Sequence, residues 1–336
     1  MVTPRRRLIL PLAAMLTILA SAGPARSDSR PYLPPAHKIF AGVAGEPVSQ
    51  YVHAVGKHPA VYEEFSAWGE YLPGIFQNAA SARARLMISI TTRYGSREAI
   101  TPGGIARGDG DRWLIAINRA MAASEQVTYI RLMAEMDGDW NAYSAFNANG
   151  SRRDSAHSTA SFKRAWKRAT LILRGGTRHG IDAELHHLGL PALHAGHDLP
   201  RPKVAMLWVP QSAGAPDVAG NQPPDYFPGS AWVDWVGSDF YGKFPNFSGL
   251  TALYHAFPRQ PFMFGEYALW GSDDPGFIDA LYAWVGAHAR ARMLVYNQGI
   301  TPQGPFHLWR YPRAARELRR LLASPTFPPF APEFSP

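Results

Sequence analysis

The chain has 336 residues, no cysteine, and a formal charge of +8, of which three units belong to arginines grouped at its start. A disulfide framework and a lipid anchor on cysteine are thereby excluded, and the mild, scattered basicity points to neither nucleic acid nor a membrane surface as partner. Hydrophobic residues at 46% supply a large core, while ten tryptophans fit either sugar stacking or aromatic core filling.

Arg5, Arg6 and Arg7 precede an apolar run over residues 8–20 and the small residues Ala20, Ser21 and Ala22. This is the layout of a secretory signal peptide within residues 1–27, cut after Ala22 or Ser27, and it predicts an extracellular or periplasmic protein. The run is shorter than the roughly 20 residues of a membrane span. Residues 28–37, polar and rich in proline, read as a linker, 38–324 as one domain, and 325–336 as a Pro-rich tail. Within the domain, apolar strand signals fall at 38–44, 61–68, 85–92, 127–134, 204–209, 231–237, 260–266 and 293–296. Helical spacing appears at 47–55, before 84, and at 113–121, 162–173, 277–289 and 311–322. The last of these carries Arg313, Arg316, Arg319 and Arg320 on a solvated face. Eight strands separated by helices imply parallel βα units, and strands apolar on both faces imply closure into an α/β, (β/α)8 TIM barrel. A monomer is expected.

Barrels of this kind carry their chemistry at the C-terminal ends of the strands. There the fourth strand runs into Glu135, a turn at Gly138 and Trp140, and the seventh into Glu266, Tyr267 and Trp270. A chain with 26 acidic residues contains many pairs by chance; it is the placement of these two, beside aromatics, that points to glycoside hydrolysis by paired carboxylates. Glu135 follows an apolar strand and faces Trp140, which suits an acid, and Glu266 has Tyr241 and Arg131 as prospective donors, which suits a nucleophile. The residues alone leave the two roles interchangeable. Asp137 and Asp139 are expected to be turned to solvent by Gly138, Asp234 to be a structural partner, and Asp239 to order a loop. Trp208, before Pro210, is expected to be a stacking platform. Trp270, with Trp68 and Trp309, suits outer subsites, and Tyr296 and Asn297 end the eighth strand towards the substrate. His187, His194, His197 and Asp198 match no metal motif and precede the fifth strand, the wrong end for catalysis; they read as a surface loop, with no metal and no cofactor expected.

Two longer stretches resemble glycoside hydrolase family 26. Arg131-Leu-Met-Ala-Glu-Met-Asp-Gly-Asp-Trp140 is similar to the family's acid/base strand, in which His-Glu-Met-Asn-Gly follows an arginine and precedes a tryptophan. Pro224-Asp-Tyr-Phe-Pro-Gly-Ser-Ala-Trp-Val-Asp-Trp-Val-Gly-Ser-Asp-Phe-Tyr241 resembles its Tyr-x-Pro-Gly, Val-Asp-Trp-Val-Gly, Asp-x-Tyr signature, and residues 260–266 its nucleophile strand. The resemblance spans residues 38–322 and implies a retaining barrel that acts on β-linked mannans or, in some members, on other β-glycans such as β-glucan or xylan. It assigns Glu135 as acid/base, Glu266 as nucleophile, Tyr241 as a hydrogen-bond donor to the nucleophile, and Trp140 and Trp208 to the sugar subsites. The chain departs from the pattern at Ala134, where the family has His, and at Asp137, where it has Asn. The change at Ala134 supports an alternative, a non-catalytic carbohydrate-binding barrel; a third reading, a metal-dependent hydrolase centred on the His197 loop, rests on the histidines alone.

Overall fold

The computed structural model describes residues 31–335 apart from 46, 71, 194, 195, 300 and 302. The expected signal peptide and the first residues of the linker lie outside the described residues. Eight parallel strands close into a barrel: β1 Phe40–Ala44, β2 Val61–Ser66, β3 Arg85–Ile90, β4 Thr128–Leu132, β5 Val204–Trp208, β6 Trp235–Tyr241, β7 Phe262–Ala268 and β8 Ala291–Asn297. Each strand pairs with its neighbours in sequence, and β8 closes on β1 through Phe40 and Met293 to Ala44 and Asn297. The (β/α)8 expectation is met.

One strand is displaced from its expected position. The apolar run at 231–237 does not itself form the sixth strand: Ser230–Trp232 is a short 3-10 turn and β6 begins at Trp235. Asp234, immediately before it, accepts Arg174 Nη2 at both carboxyl oxygens, each at 2.9 Å, and the backbone N–H of Met206 at 2.7 Å, and so ends the loop where the strand starts. Helices Arg178–His187 and Phe247–Ala256 lie in the crossovers from β4 to β5 and from β6 to β7. Asp111 and Arg168, both buried, join helix Asp111–Ser124 to helix Thr159–Arg174 through two parallel bonds of 2.7 and 2.5 Å; a fork-to-fork pair satisfies both charges where water cannot.

Strand residues alternate between two apolar layers. Val61, Met87, Tyr129, Ala205, Leu207, Trp235, Met263, Met293 and Val295 fill the barrel interior. Tyr62, Leu86, Ile88, Ile130, Leu132, Met206, Trp208, Val236, Phe262, Phe264, Leu294 and Tyr296 face the surrounding helices. Period-two alternation follows from the pleat, and each fully buried Leu, Ile or Phe contributes roughly 1.5–3 kcal/mol. The interior column is closed below by Tyr32, Ala331 and Phe334. The segments that read as linker and tail therefore pack on the barrel floor. Above, the column gives way to polar side chains.

Candidate active site

The inward positions at the C-terminal ends of the strands carry Glu63 on β2, Ser89 on β3, Arg131 on β4, Asp239 on β6, Glu266 on β7 and Asn297 on β8. Arg131 is their hub. Its Nη1 donates to Glu266 Oε1 at 2.6 Å, to Ser89 Oγ at 2.9 Å and to Glu63 Oε1 at 3.1 Å, and its Nη2 donates to Asp239 Oδ2. Arg131 is only 3% exposed, so it orients carboxylates and does not itself face the groove as a sugar-binding residue.

Glu266 collects three side-chain donors. Besides Arg131, the Tyr241 hydroxyl and Asn297 Nδ2 both donate to its Oε2, the amide at 2.6 Å. Asn297 also donates to the Tyr241 oxygen at 3.0 Å, and Asp239 Oδ1 accepts the Glu266 backbone N–H at 2.8 Å. Burial and then the Glu266 charge push the Tyr241 hydroxyl well above its ordinary range, so it keeps the proton that it donates.

Glu135 stands just past β4. Its backbone N–H donates to Val209 O at 2.7 Å, and it adopts φ 51°. One carboxyl oxygen accepts the Trp140 indole N–H at 2.8 Å and the other the Gln211 amide. Asn141 Nδ2 and Tyr143 hydroxyl donate to the backbone oxygens of Glu135 and Ala134, at 2.8 and 2.6 Å, and fix the turn. Burial, and then the Glu266 charge, raise the Glu135 pKa against the opposing pull of Arg131. Two carboxyls thus share one mouth with unlike surroundings: one resists ionisation, and the other is met by three donors.

Several expectations are corrected. Asp137 does not reach solvent; it is buried, its Oδ1 accepts the Gln211 backbone N–H at 2.9 Å, its Oδ2 has no partner, and burial drives its pKa well up. Asp239 lies in β6 and bonds Arg131 and Glu266, so it belongs to the site and not to a loop. Trp208 is fully enclosed on the helix-facing side, edge-on to Phe227 and Phe257 at about 5 Å, where no sugar can stack. Tyr296 is likewise enclosed, with its hydroxyl donating to Phe306 O at 2.9 Å; its neighbour Asn297 is the one that enters the site. Trp68 is buried against Trp113. Its edge lines a cleft of about 450 Å³ with Glu98, Ile100, Arg107 and Asp109, beside the mouth and away from both carboxyls. Gln211 and Glu63 were not singled out from the sequence.

Aromatics remain around the rim. Among the described residues the large apolar side chains left exposed are Leu33, Tyr94, Trp140, Phe244 and Trp309, and the last four sit on loops that follow β3, β4, β6 and β8. Trp270 packs edge-on against Tyr241, Phe244 and Phe306, with Lys243 over its ring at 4.9 Å. The histidine segment begins with the end of helix Arg178–His187, not with a loop, and Asp198 accepts the Arg178 backbone N–H at 2.8 Å; His194 lies outside the described residues. Among the described residues no group of three or more His, Cys, Asp or Glu is arranged to hold a metal ion, and no helix is long and apolar enough to cross a membrane.

No family model matches the sequence, and no curated protein matches it. Solved structures do match in fold. A glycoside hydrolase family 26 β-mannanase from Bacteroides ovatus superposes with a TM-score of 0.57 at 14% identity, covering 87% of this chain and 90% of that one. The YdhT protein from Bacillus subtilis gives 0.55 at 15% identity, with 88% of each chain covered. The family 26 protein GH26A from Muricauda sp. gives 0.55 at 15% identity, covering 87% and 91%. At these identities the likeness is one of fold.

Proposed function

We propose that this chain is an exported glycoside hydrolase of the family 26 type that cleaves β-linked glycans with retention, β-1,4-mannan first among them, with Glu135 as acid/base and Glu266 as nucleophile. The observation that carries this is the pairing of a carboxyl whose ionisation is opposed by burial with a second one anchored by Arg131, Tyr241 and Asn297 at the same barrel mouth. Retaining hydrolysis requires that division of labour: the protonated group gives its proton to the departing glycosidic oxygen, and the other attacks the anomeric carbon, at a separation of about 5–5.5 Å. Trp140 bonds the acid and is half exposed beside it, which suits a sugar ring stacked next to the cleaved linkage. The aromatic rim suits a polymer that continues beyond the site, and the fold shared with mannanases makes mannan the first substrate to try.

Ala134 leaves a methyl group where the family places an imidazole. Asp137 stands in place of an amide, and its Oδ1 accepts a backbone N–H as an amide oxygen does, while burial opposes ionisation of its carboxyl. The reading is tested by release of reducing ends from mannan, glucomannan, β-glucan and xylan, with the anomer first formed followed by NMR. The β-anomer is expected, and Glu135→Ala and Glu266→Ala should each lower kcat by about 10³-fold or more. Turnover that survives both substitutions, or an inverted product, rejects the assignment.

A further inference from the structure

Beneath the two carboxyls lies a third that this chemistry leaves unused. Glu63 is fully enclosed, with Oε1 3.1 Å from Arg131 Nη1 and Oε2 bonded to nothing. That same Nη1 also serves Ser89 and Glu266, so three acceptors crowd a nitrogen with two hydrogens. Nη2 is taken by Asp239. One guanidinium therefore faces Glu63, Asp239 and Glu266 directly, and Glu135 stands near enough to feel its charge. From the adjoining strands Glu63 meets Ala44 of β1 and Met87 of β3 in register, neither of them titratable, with the Ser89 hydroxyl close by.

Four ionised carboxyls against one cation would leave three uncompensated negative charges shielded from water, so some of the protons have to stay. Glu135 keeps one as the proposed acid. Asp239 accepts at both oxygens and Glu266 has three side-chain donors, whereas Glu63 has Arg131 at 3.1 Å, the Ser89 hydroxyl, and one orphaned oxygen. Burial drives the Asp239 carboxyl up as well, but of the four only Glu63 has an oxygen with no hydrogen-bond partner.

We propose that Glu63 is a positioning acid: a neutral carboxyl wedged beside Arg131 that leaves the Nη1 donor to Glu266 and so holds the guanidinium against the nucleophile. This rests on Glu266 being that nucleophile. Burial lifts the Glu63 pKa to about 8, against the pull of Arg131. An unfolded Glu gives up its proton near 4.5, so between that value and about 8 the folded chain binds the extra proton, and stability falls as pH rises through the window. Above about 8 an ionised Glu63 competes with Glu266 for the same donor.

Glu63→Gln keeps the shape and is neutral at every pH. Urea midpoints of the native protein and the variant should agree near pH 4.5 and diverge as pH rises, the variant being the more resistant at pH 8. The alkaline limb of log kcat/KM should lose one proton's worth of slope, from −2 towards −1. Parallel midpoint curves, or a variant weaker at pH 8, overturn the neutral carboxyl. The expected midpoints with an unaltered pH–rate shape overturn the positioning role and leave the hydrolase reading standing. Absence of turnover on every glycan in the native protein overturns that reading and the positioning role together, while the midpoints still report the buried proton.

Discussion

Glu135 holds its backbone at φ 51°, as Met133 does at 46° two residues earlier; a left-handed conformation costs a residue with a Cβ roughly 1–2 kcal/mol. The cost is met because Val209, Asn141 and Tyr143 hold the turn from three sides, and the turn aims the carboxyl back over the mouth instead of along the strand. Its proton affinity is then adjusted by single bonds. The Trp140 indole N–H favours the ionised form and so opposes the burial that raises the pKa. Trp140→Phe keeps an aromatic face and deletes that donor. With the sign worked through, the Glu135 pKa rises further, and the alkaline limb of kcat/KM moves to higher pH by about half a unit to one unit, the range for a charge-assisted bond at a half-exposed group. A pH–rate profile decides this; a limb that stays in place or moves down removes Glu135 from the acid role.

Strand β7 shows why part of the site was legible in the sequence and part was not. Phe262 and Phe264 face the helices and Met263 faces the interior, so uninterrupted alternation would send Glu266 outward with the phenylalanines. It points inward because β7 carries a bulge. Three steps from Phe264 to Tyr267 oppose two steps on β8, from Leu294 to Tyr296, and two on β6, from Ser238 to Phe240. Bulges re-aim side chains beside active sites, and no residue pattern in Phe-Gly-Glu-Tyr announces this one. Where alternation is regular it is informative: counting by twos from Ala205 places Trp208 among the helices, and from Met293 it places Asn297, not Tyr296, inside. The strands, with the sixth displaced, and the placing of both carboxyls at strand ends follow from apolar runs and their endings, while the inward aim of Glu266 does not. Of the hub at Arg131 only the bond to Glu266 is legible, because Glu63 and Asp239 join it from β2 and β6, 68 and 108 positions away. Gly265 makes the bulge fit. A Cβ there would stand 2.7 Å from Asp239 Oδ1 and 2.8 Å from Arg131 Nε, closer than packed atoms approach. Gly265→Ala should therefore cost about 1–3 kcal/mol of stability and lower kcat by displacing Arg131 and Asp239 together, as read by denaturant midpoint and steady-state kinetics. A full-rate variant would mean that the hub has slack.

Across the whole molecule the two ends of the barrel carry different duties. The mouth concentrates charges that oppose one another, which cost stability, and the floor is closed by the chain's outer segments. Arg85, at the start of β3, donates to Glu333 at 2.7 and 3.0 Å, to Tyr32 O at 2.6 Å and to the Tyr129 hydroxyl at 2.8 Å. Tyr129 in turn donates to Tyr32 O at 2.6 Å, and the Trp235 indole N–H to Pro31 O at 2.6 Å. Residues preceding β1 and residues following the last helix are thus tied to the bases of β3, β4 and β6. Burial by itself would lift the Glu333 carboxyl, but the Arg85 bonds outweigh it and hold the pKa below its ordinary value. A depressed carboxyl stabilises the fold above its unfolded pKa and loses that contribution as pH falls through the folded one. Glu333→Ala should accordingly cost about 1–3 kcal/mol at pH 7. That lies below the cost of breaking a fully buried pair, because the Glu333 side chain is 34% exposed and Arg85 keeps two other acceptors. The deficit should shrink as the pH falls below the ordinary carboxylate range, where the native carboxyl also takes up its proton. With the mouth at the opposite end of the strands, kcat and KM should stay at native values throughout. Urea unfolding at pH 7 and pH 3.5, run beside glycan turnover, measures both halves: a variant equally deficient at both pH values has lost packing and not a charge, and one that loses kcat as well couples floor to mouth.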